Sequence, residues 1–288
     1  MKKHFLFLIL ALPAITFAQQ NSSILWEISG NGLTTPSYLM GTLKFIGEKE
    51  FYLPKEATDR MKNTKLFAIE DQVDHHAQHE LNKALHFPKG QSLKTALSAE
   101  EYQKVVTLFQ KEFGVDAKTF EKNYSHIIPL ALSISMTRLS LKENVKFYDI
   151  ELLAHAKKNN LETYSLEEIG REAEAINKFP IADQARALIH SVDNFEQQKS
   201  EYKKLMADYP EGNLEEIFKY TLHPTENNLL FLEEFYYKRN EEWVPKIEKM
   251  MKDKPSFIAV GISHLESDNG LLSLLTKRGY TLTPVPVK

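Results

Sequence analysis

Ser256-Phe257-Ile258-Ala259-Val260-Gly261 is followed by a helical stretch from about Asn269 to Arg278, then by Gly279 and by Tyr280 to Val287. The first stretch is a continuous apolar run closed by glycine, which reads as a buried strand. Gly279 stands where a helix stops, and the residues after it read as a second strand. A strand–helix–strand succession favours a parallel pair of strands beneath a covering helix, and so an α/β protein.

The opposite end of the chain supplies matching strands. Ile24 to Ile28 is a short strand, Gly30-Asn31-Gly32 a turn, and Ser37 to Met40 a strand ending at Gly41. A helix is expected from Pro54 to about Asn63, and Leu66-Phe67-Ala68-Ile69 reads as another buried strand. In the middle, Ser98 and Glu101 have capping-box spacing ahead of Tyr102, Val105, Val106, Phe109 and Phe113, and Gly114 marks the stop. Further helices are predicted over 119–142, 149–159, 181–207 and 225–252, with Pro129 and Pro245 as kinks or breaks. Leu161 to Leu166 is a candidate strand. The expectation is one α/β domain over residues 19–288, with a mixed, partly parallel sheet built from both ends of the chain. A large helical insertion fills roughly 75–252.

Met1-Lys2-Lys3, the apolar run from Phe5 to Phe17, and Thr16-Phe17-Ala18 together have the form of a secretory signal peptide over residues 1–18. The run is shorter than the about 20 apolar residues that a membrane span needs. The expected product is exported, periplasmic or secreted, with no membrane span in the mature chain. Losing Lys2 and Lys3 leaves 36 − 2 = 34 basic side chains against 39 acidic ones. A mildly acidic chain with no dense basic stripe argues against nucleic acid as a partner. The absence of cysteine closes disulfide and cysteine-nucleophile chemistry. It leaves His, Asp and Glu as donors for any metal, a set suited to zinc or manganese.

Ligands of open α/β sheets bind beyond the carboxyl ends of the strands. Three predicted strands end in Gly41-Thr42-Leu43-Lys44, in Glu70-Asp71 and in Gly261-Ile262-Ser263-His264. A carboxylate closing an apolar strand, as Glu70 does, demands a partner. His264 on its own reads as either a hydrogen-bonded core histidine or a ligand, and Lys44 as a solvated lysine. If the strands are neighbours, these groups converge. Downstream, His75 with His79, and His76 with Glu80, would lie one helical turn apart and offer a second metal-binding arrangement.

Leu25-Trp26-Glu27-Ile28-Ser29-Gly30 with Pro36 to Thr42 resembles the opening of TraB/GumN proteins, a family related to the Tiki metalloproteases, to erythromycin esterases and to ChaN-like proteins. Gly261-Ile262-Ser263-His264-Leu265, Gly270-Leu271-Leu272 and Arg278-Gly279-Tyr280 resemble its close. Ile69-Glu70, Asp149 with Leu152 and Ala156-Lys157, Leu166-Glu167 and Arg239-Asn240 resemble internal family segments. The resemblance implies a two-half α/β fold with paired Gly-x-x-His motifs, a divalent metal and hydrolysis of a peptide or ester bond. It assigns catalytic roles to Glu70, Arg239 and His264, with Arg239 a carboxylate or oxyanion partner. It assigns metal binding to Glu70 and His264, and substrate contacts to Gly41, Thr42, Lys44, Asn240 and Gly261.

The first motif departs from the family, with Lys44 in the place of its histidine. An ammonium has no lone pair for a metal. Where the family often has glutamine, this chain has Glu172. Lys44 is therefore expected to pair with Glu70 and partly replace the metal, leaving the enzyme degenerate. Two classes remain open: a metal-dependent hydrolase, and a non-catalytic binder of haem or another small ligand on the same scaffold. A general interaction module has weaker support, since 17 Phe and 12 Tyr at helical spacing mostly build core.

Overall fold

The structure, a computed structural model, describes residues 22–71, 75–168, 170–221 and 228–287. The expected signal segment lies outside the described residues. The strands are β1 (Leu25–Gly30), β2 (Ser37–Thr42), β3 (Ile46–Gly47), β4 (Leu66–Ile69), β5 (Val145–Lys146), β6 (Glu162–Ser165), β7 (Ser256–Gly261) and β8 (Tyr280–Val285). Six of them form one sheet in the order β6-β4-β7-β2-β1-β8. β6, β4, β7 and β2 run parallel. β1 is antiparallel to both β2 and β8. The sheet is therefore mixed and mostly parallel, with five strands from the two ends of the chain and β6 from within the expected helical insertion.

The central strands are largely apolar because both faces are covered. Every residue of β2 and β4 is buried, as is β7 up to Val260. The Lys55–Lys62, Tyr148–Lys158, Lys238–Asp253 and Leu271–Lys277 helices contribute Met61, Leu152, Trp243, Ile247 and Leu271 to the core around the sheet. A second apolar core lies within the insertion, where Val105, Phe109, Phe120, Leu132, Leu188 and Phe231 pack together.

The Ala99–Phe113 helix is capped as its sequence predicts. The Ser98 hydroxyl accepts from the Glu101 amide, and Gly114 at φ 69° ends the helix. Other expectations change. The predicted 119–142 helix is two, Ala117–Asn123 and Pro129–Ser140, with Pro129 at the expected break, where it opens the second. The predicted 181–207 helix divides at Asn194 into Ile181–Asp193 and Phe195–Asp208. Pro245 does not break the Lys238–Asp253 helix. Burial of Trp243, Val244, Ile247, Met250 and Met251 on both sides of it outweighs one lost backbone hydrogen bond. Ahead of that helix the backbone widens into a π turn over Leu232–Tyr237. The Arg171–Lys178 helix and the β3–β5 ribbon were not anticipated.

Candidate functional site

The parallel register sets Thr42 beside Gly261, and Ile69 beside Ser165. The carboxyl ends of β2, β4, β6 and β7 thus share one edge, and the residues just beyond them face one another. Glu70 follows β4, Glu167 follows β6, and Ile262–His264 forms a 3-10 turn after β7. Arg239 and Asn240 come from the first turn of the Lys238–Asp253 helix, directly after the π turn.

The centre of the cluster is Arg239, whose side chain is 1% exposed. Its Nε donates to Glu167 Oε2 at 3.0 Å, and its Nη2 to Glu167 Oε1 at 2.9 Å and to Glu70 Oε2 at 2.7 Å. Its Nη1 donates to the Phe235 carbonyl at 3.0 Å and faces His264 Nε2 at 3.4 Å. A guanidinium has five N–H donors, and all five are used here. Arg239 is thus a carboxylate partner, as expected, but it has no donor left for a substrate oxyanion. The rings of Phe235 and Trp243 flank it, with centroids 5.1 and 4.8 Å from Cζ. Trp243 Nε1 adds a hydrogen bond to Glu167 Oε2 at 3.1 Å.

Glu70 Oε1 also accepts from the Gly261 amide at 2.5 Å. Burial alone would favour its neutral form, but His264, Arg239, the Gly261 amide and Lys44 overcome this and lower its pKa to about 2. An added Cβ at Gly261 would lie 3.1 Å from Glu70 Oε1, so a side chain there would press on this carboxylate. Burial pushes Glu167 the other way, above the ordinary carboxylate value, and Arg239 only partly offsets it.

His264 is 2% exposed and lies against Tyr236 and Trp243. Its protonation follows from Asn240. The Asn240 Nδ2 donates to the carbonyls of Asn269 and His264 at 2.9 and 3.3 Å, so Oδ1 is the end facing His264 Nδ1 at 2.7 Å. That oxygen can only accept, so Nδ1 carries the proton and Nε2 the lone pair. Burial lowers the imidazole pKa to about 3 against the pull of Glu70. Asn240 is 1% exposed and spends its amide on orienting His264, which leaves it nothing to offer a substrate. Thr42 is similarly buried, 3.1 Å from the Val260 carbonyl.

Lys44 does not pair with Glu70. Its side chain is 58% exposed and its Nζ lies 2.8 Å from Glu172 Oε1. Glu172 is the main reason its pKa rises. The two positions that the sequence sets apart from the family it resembles, 44 and 172, thus bond to each other. Lys44 still contributes a favourable field at Glu70.

Sequence reasoning missed Asp149, in the first turn of the Tyr148–Lys158 helix. Its Oδ1 lies 3.4 Å from the Thr42 hydroxyl, and burial, then the charges of Glu70 and Glu172, push its pKa up to about 7. An acidic residue in a first helical turn is ordinary, so the sequence did not mark it out. Glu167 was also missed as a site residue. The His75–Ala84 helix exists and His79 is exposed, but the side chains of His75, His76 and Glu80 lie outside the described residues.

The donors do not fit a divalent metal. Among the described residues, no group of three or more His, Asp or Glu could hold one. Glu70 Oε1 and His264 Nε2 stand 3.8 Å apart, but Arg239 already bonds both side chains.

Gly41 holds the site's framework at close quarters. A Cβ there would meet Leu265 Cδ1 at 2.7 Å, Ile262 Cγ1 at 2.8 Å and Ile262 Cα at 3.1 Å. Its carbonyl accepts from the Tyr209 hydroxyl at 2.6 Å. Gly41→Ala should lower stability by about 1–3 kcal/mol and displace the 262–264 turn. Urea denaturation measures the first effect, and the His264 ring resonances report the second.

The model of the TraB/PrgY/gumN family matches residues 24–284. Among curated proteins, the chain is similar to "Metalloprotease TIKI1" of Danio rerio, 20% identical over 317 residues. That match covers 92% of this chain and 63% of the relative, so the chain spans less than two thirds of the relative's length. No solved structure matches the chain.

Proposed function

The chain belongs to the TraB/PrgY/gumN family, and from that premise we propose that it is an exported hydrolase of peptide or ester bonds. The reading is carried by one observation: neighbouring carboxyls at the carboxyl edge of the sheet have pKa values far apart. Glu70 is fixed as an anion at about 2, while Asp149 titrates at about 7. Separated pKa values of this kind divide acid–base roles between residues.

In this reading Asp149, as carboxylate, takes a proton from water as the water oxygen bonds to the substrate carbonyl carbon. The tetrahedral intermediate then collapses, the C–N or C–O bond breaks, and Asp149 returns the proton to the leaving group. Lys44, exposed and cationic, is the available donor for the developing oxyanion. Arg239, Glu167, Asn240 and His264 hold Glu70 and the surrounding backbone in place. The relative's name includes a metal, but the donor set here does not fit one and no step depends on it.

Peptide-library and ester-panel assays of the purified mature protein test the proposal. Turnover rising with pH around neutrality is expected. No cleavage of either panel would leave the alternative of a non-catalytic binder of haem or another small ligand. We also propose that residues 19–288 form one mature domain, periplasmic or secreted. N-terminal sequencing of the protein from its native cell should begin near Gln19, and an intact Met1 would overturn cleavage. No helix among the described residues is long and apolar enough to cross a membrane.

A further inference from the structure

We infer that Arg239 is the built-in cation of this site, standing where a divalent metal would bridge Glu70 and His264, so that the site works without a bound metal. The part about working rests on the hydrolase reading; the part about the metal does not.

A metal has to use the Nε2 lone pair of His264, because Asn240 Oδ1 holds the proton on Nδ1 at 2.7 Å. An imidazole nitrogen has one lone pair, and Arg239 Nη1 already addresses it from 3.4 Å. Zinc binds a histidine nitrogen at about 2 Å, along that same direction, so the guanidinium must leave before the ion can enter.

Leaving is opposed on every side. Glu167, with a side chain 1% exposed, takes both of its oxygens' charge-assisted bonds from Arg239 at 3.0 and 2.9 Å. Withdrawal would strand that buried carboxylate with the Trp243 indole N–H as its one remaining side-chain donor among the described residues. Glu70 would lose its 2.7 Å bond, and the Phe235 carbonyl its donor. The flanking rings of Phe235 and Trp243 leave the guanidinium plane little alternative position.

Nor does a third ligand wait nearby. Lys44 is bonded to Glu172, Asp149 faces Thr42, and no ligand set of three forms among the described residues. A guanidinium offers fixed, planar, bidentate neutralisation of two carboxylates, which supplies the positive charge that the site needs.

Calorimetric titration of the untagged mature protein with zinc, repeated on His264→Gln, tests the inference. Any zinc heat should be the same in both proteins, since it arises from histidines elsewhere, such as exposed His79. As a second measurement, 15N-histidine spectra of the wild type should keep His264 as the Nδ1–H tautomer in excess zinc. A stoichiometric site lost in His264→Gln, or a metal-bound Nε2 signal in the wild type, would overturn the proposal. Neither measurement needs turnover, so a chain that cleaves nothing still decides the question.

Discussion

Arg239→Leu should destabilise the protein by about 3–5 kcal/mol, the usual cost of stranding a buried charge by removing its partner. The cost arises chiefly at Glu167, whose side chain is 1% exposed and takes two hydrogen bonds from this guanidinium. Glu70 loses one bond but keeps the Gly261 amide. Arg239→Lys should recover little, because one ammonium cannot serve acceptors spread over Glu70, Glu167, Phe235 and His264. The double variant Arg239→Leu/Glu167→Leu should be more stable than Arg239→Leu alone, although it removes more native bonds. Urea denaturation of the three variants measures the cycle. A loss below about 1 kcal/mol for Arg239→Leu, typical of an exposed pair, would show that the cluster is not organised by its arginine.

The second large effect has two signs. Asp149→Asn should lower turnover by about 10²–10⁴-fold, the usual contribution of a general acid–base group, while stabilising the fold in alkaline solution. Asp149 has a folded-state pKa of about 7 against an ordinary 3.8. Between those values the unfolded chain releases this proton and the native chain retains it. The aspartate therefore costs stability as pH rises through that window, and the full cost persists above it. Asparagine keeps a hydrogen-bonding group without the charge. The variant should gain about 1–2 kcal/mol at pH 8, below the about 4 kcal/mol that the whole shift would imply, since Asp149 is only partly buried. The gain should vanish near pH 4. Thermal melts at both values, set beside cleavage rates, separate the two effects. A variant less stable than wild type at pH 8 would mean that the carboxylate is satisfied rather than strained.

The sheet was legible in the sequence because its central strands are continuous apolar runs. β7 and β4 lie at the residues expected, and β2 differs from expectation only at its end. The break at Asn194 was not legible, since no proline or glycine marks it. Glu70 and His264 could be found because each closes a strand, and Arg239 through family resemblance. The bonds among them could not. Lys44 finds Glu172 across 128 residues, on a helix that sequence periodicity did not reveal. Glu167 follows β6, whose first residues are exposed, so its own burial was hidden behind an unpromising strand. Asp149 was hidden by its ordinary place in a helix. Its unusual proton affinity comes first from burial and then from the charges of Glu70 and Glu172, which the fold brings to it.

The sheet drawn from both ends also sets the order in which the molecule can be made. β2 has its parallel neighbour in β7, and Ser37 bonds Ser256 from 219 residues away. A nascent chain that has not yet delivered residue 256 leaves β2 and β4 without the strand that joins them. The helical insertion, whose apolar core is drawn largely from its own segment, can gather first and wait. Such long-range closure is slow, and it leaves strand edges open to other chains meanwhile. Under the export proposed above, the same delay helps a chain that threads a membrane unfolded: the sheet core cannot lock before the last strands emerge.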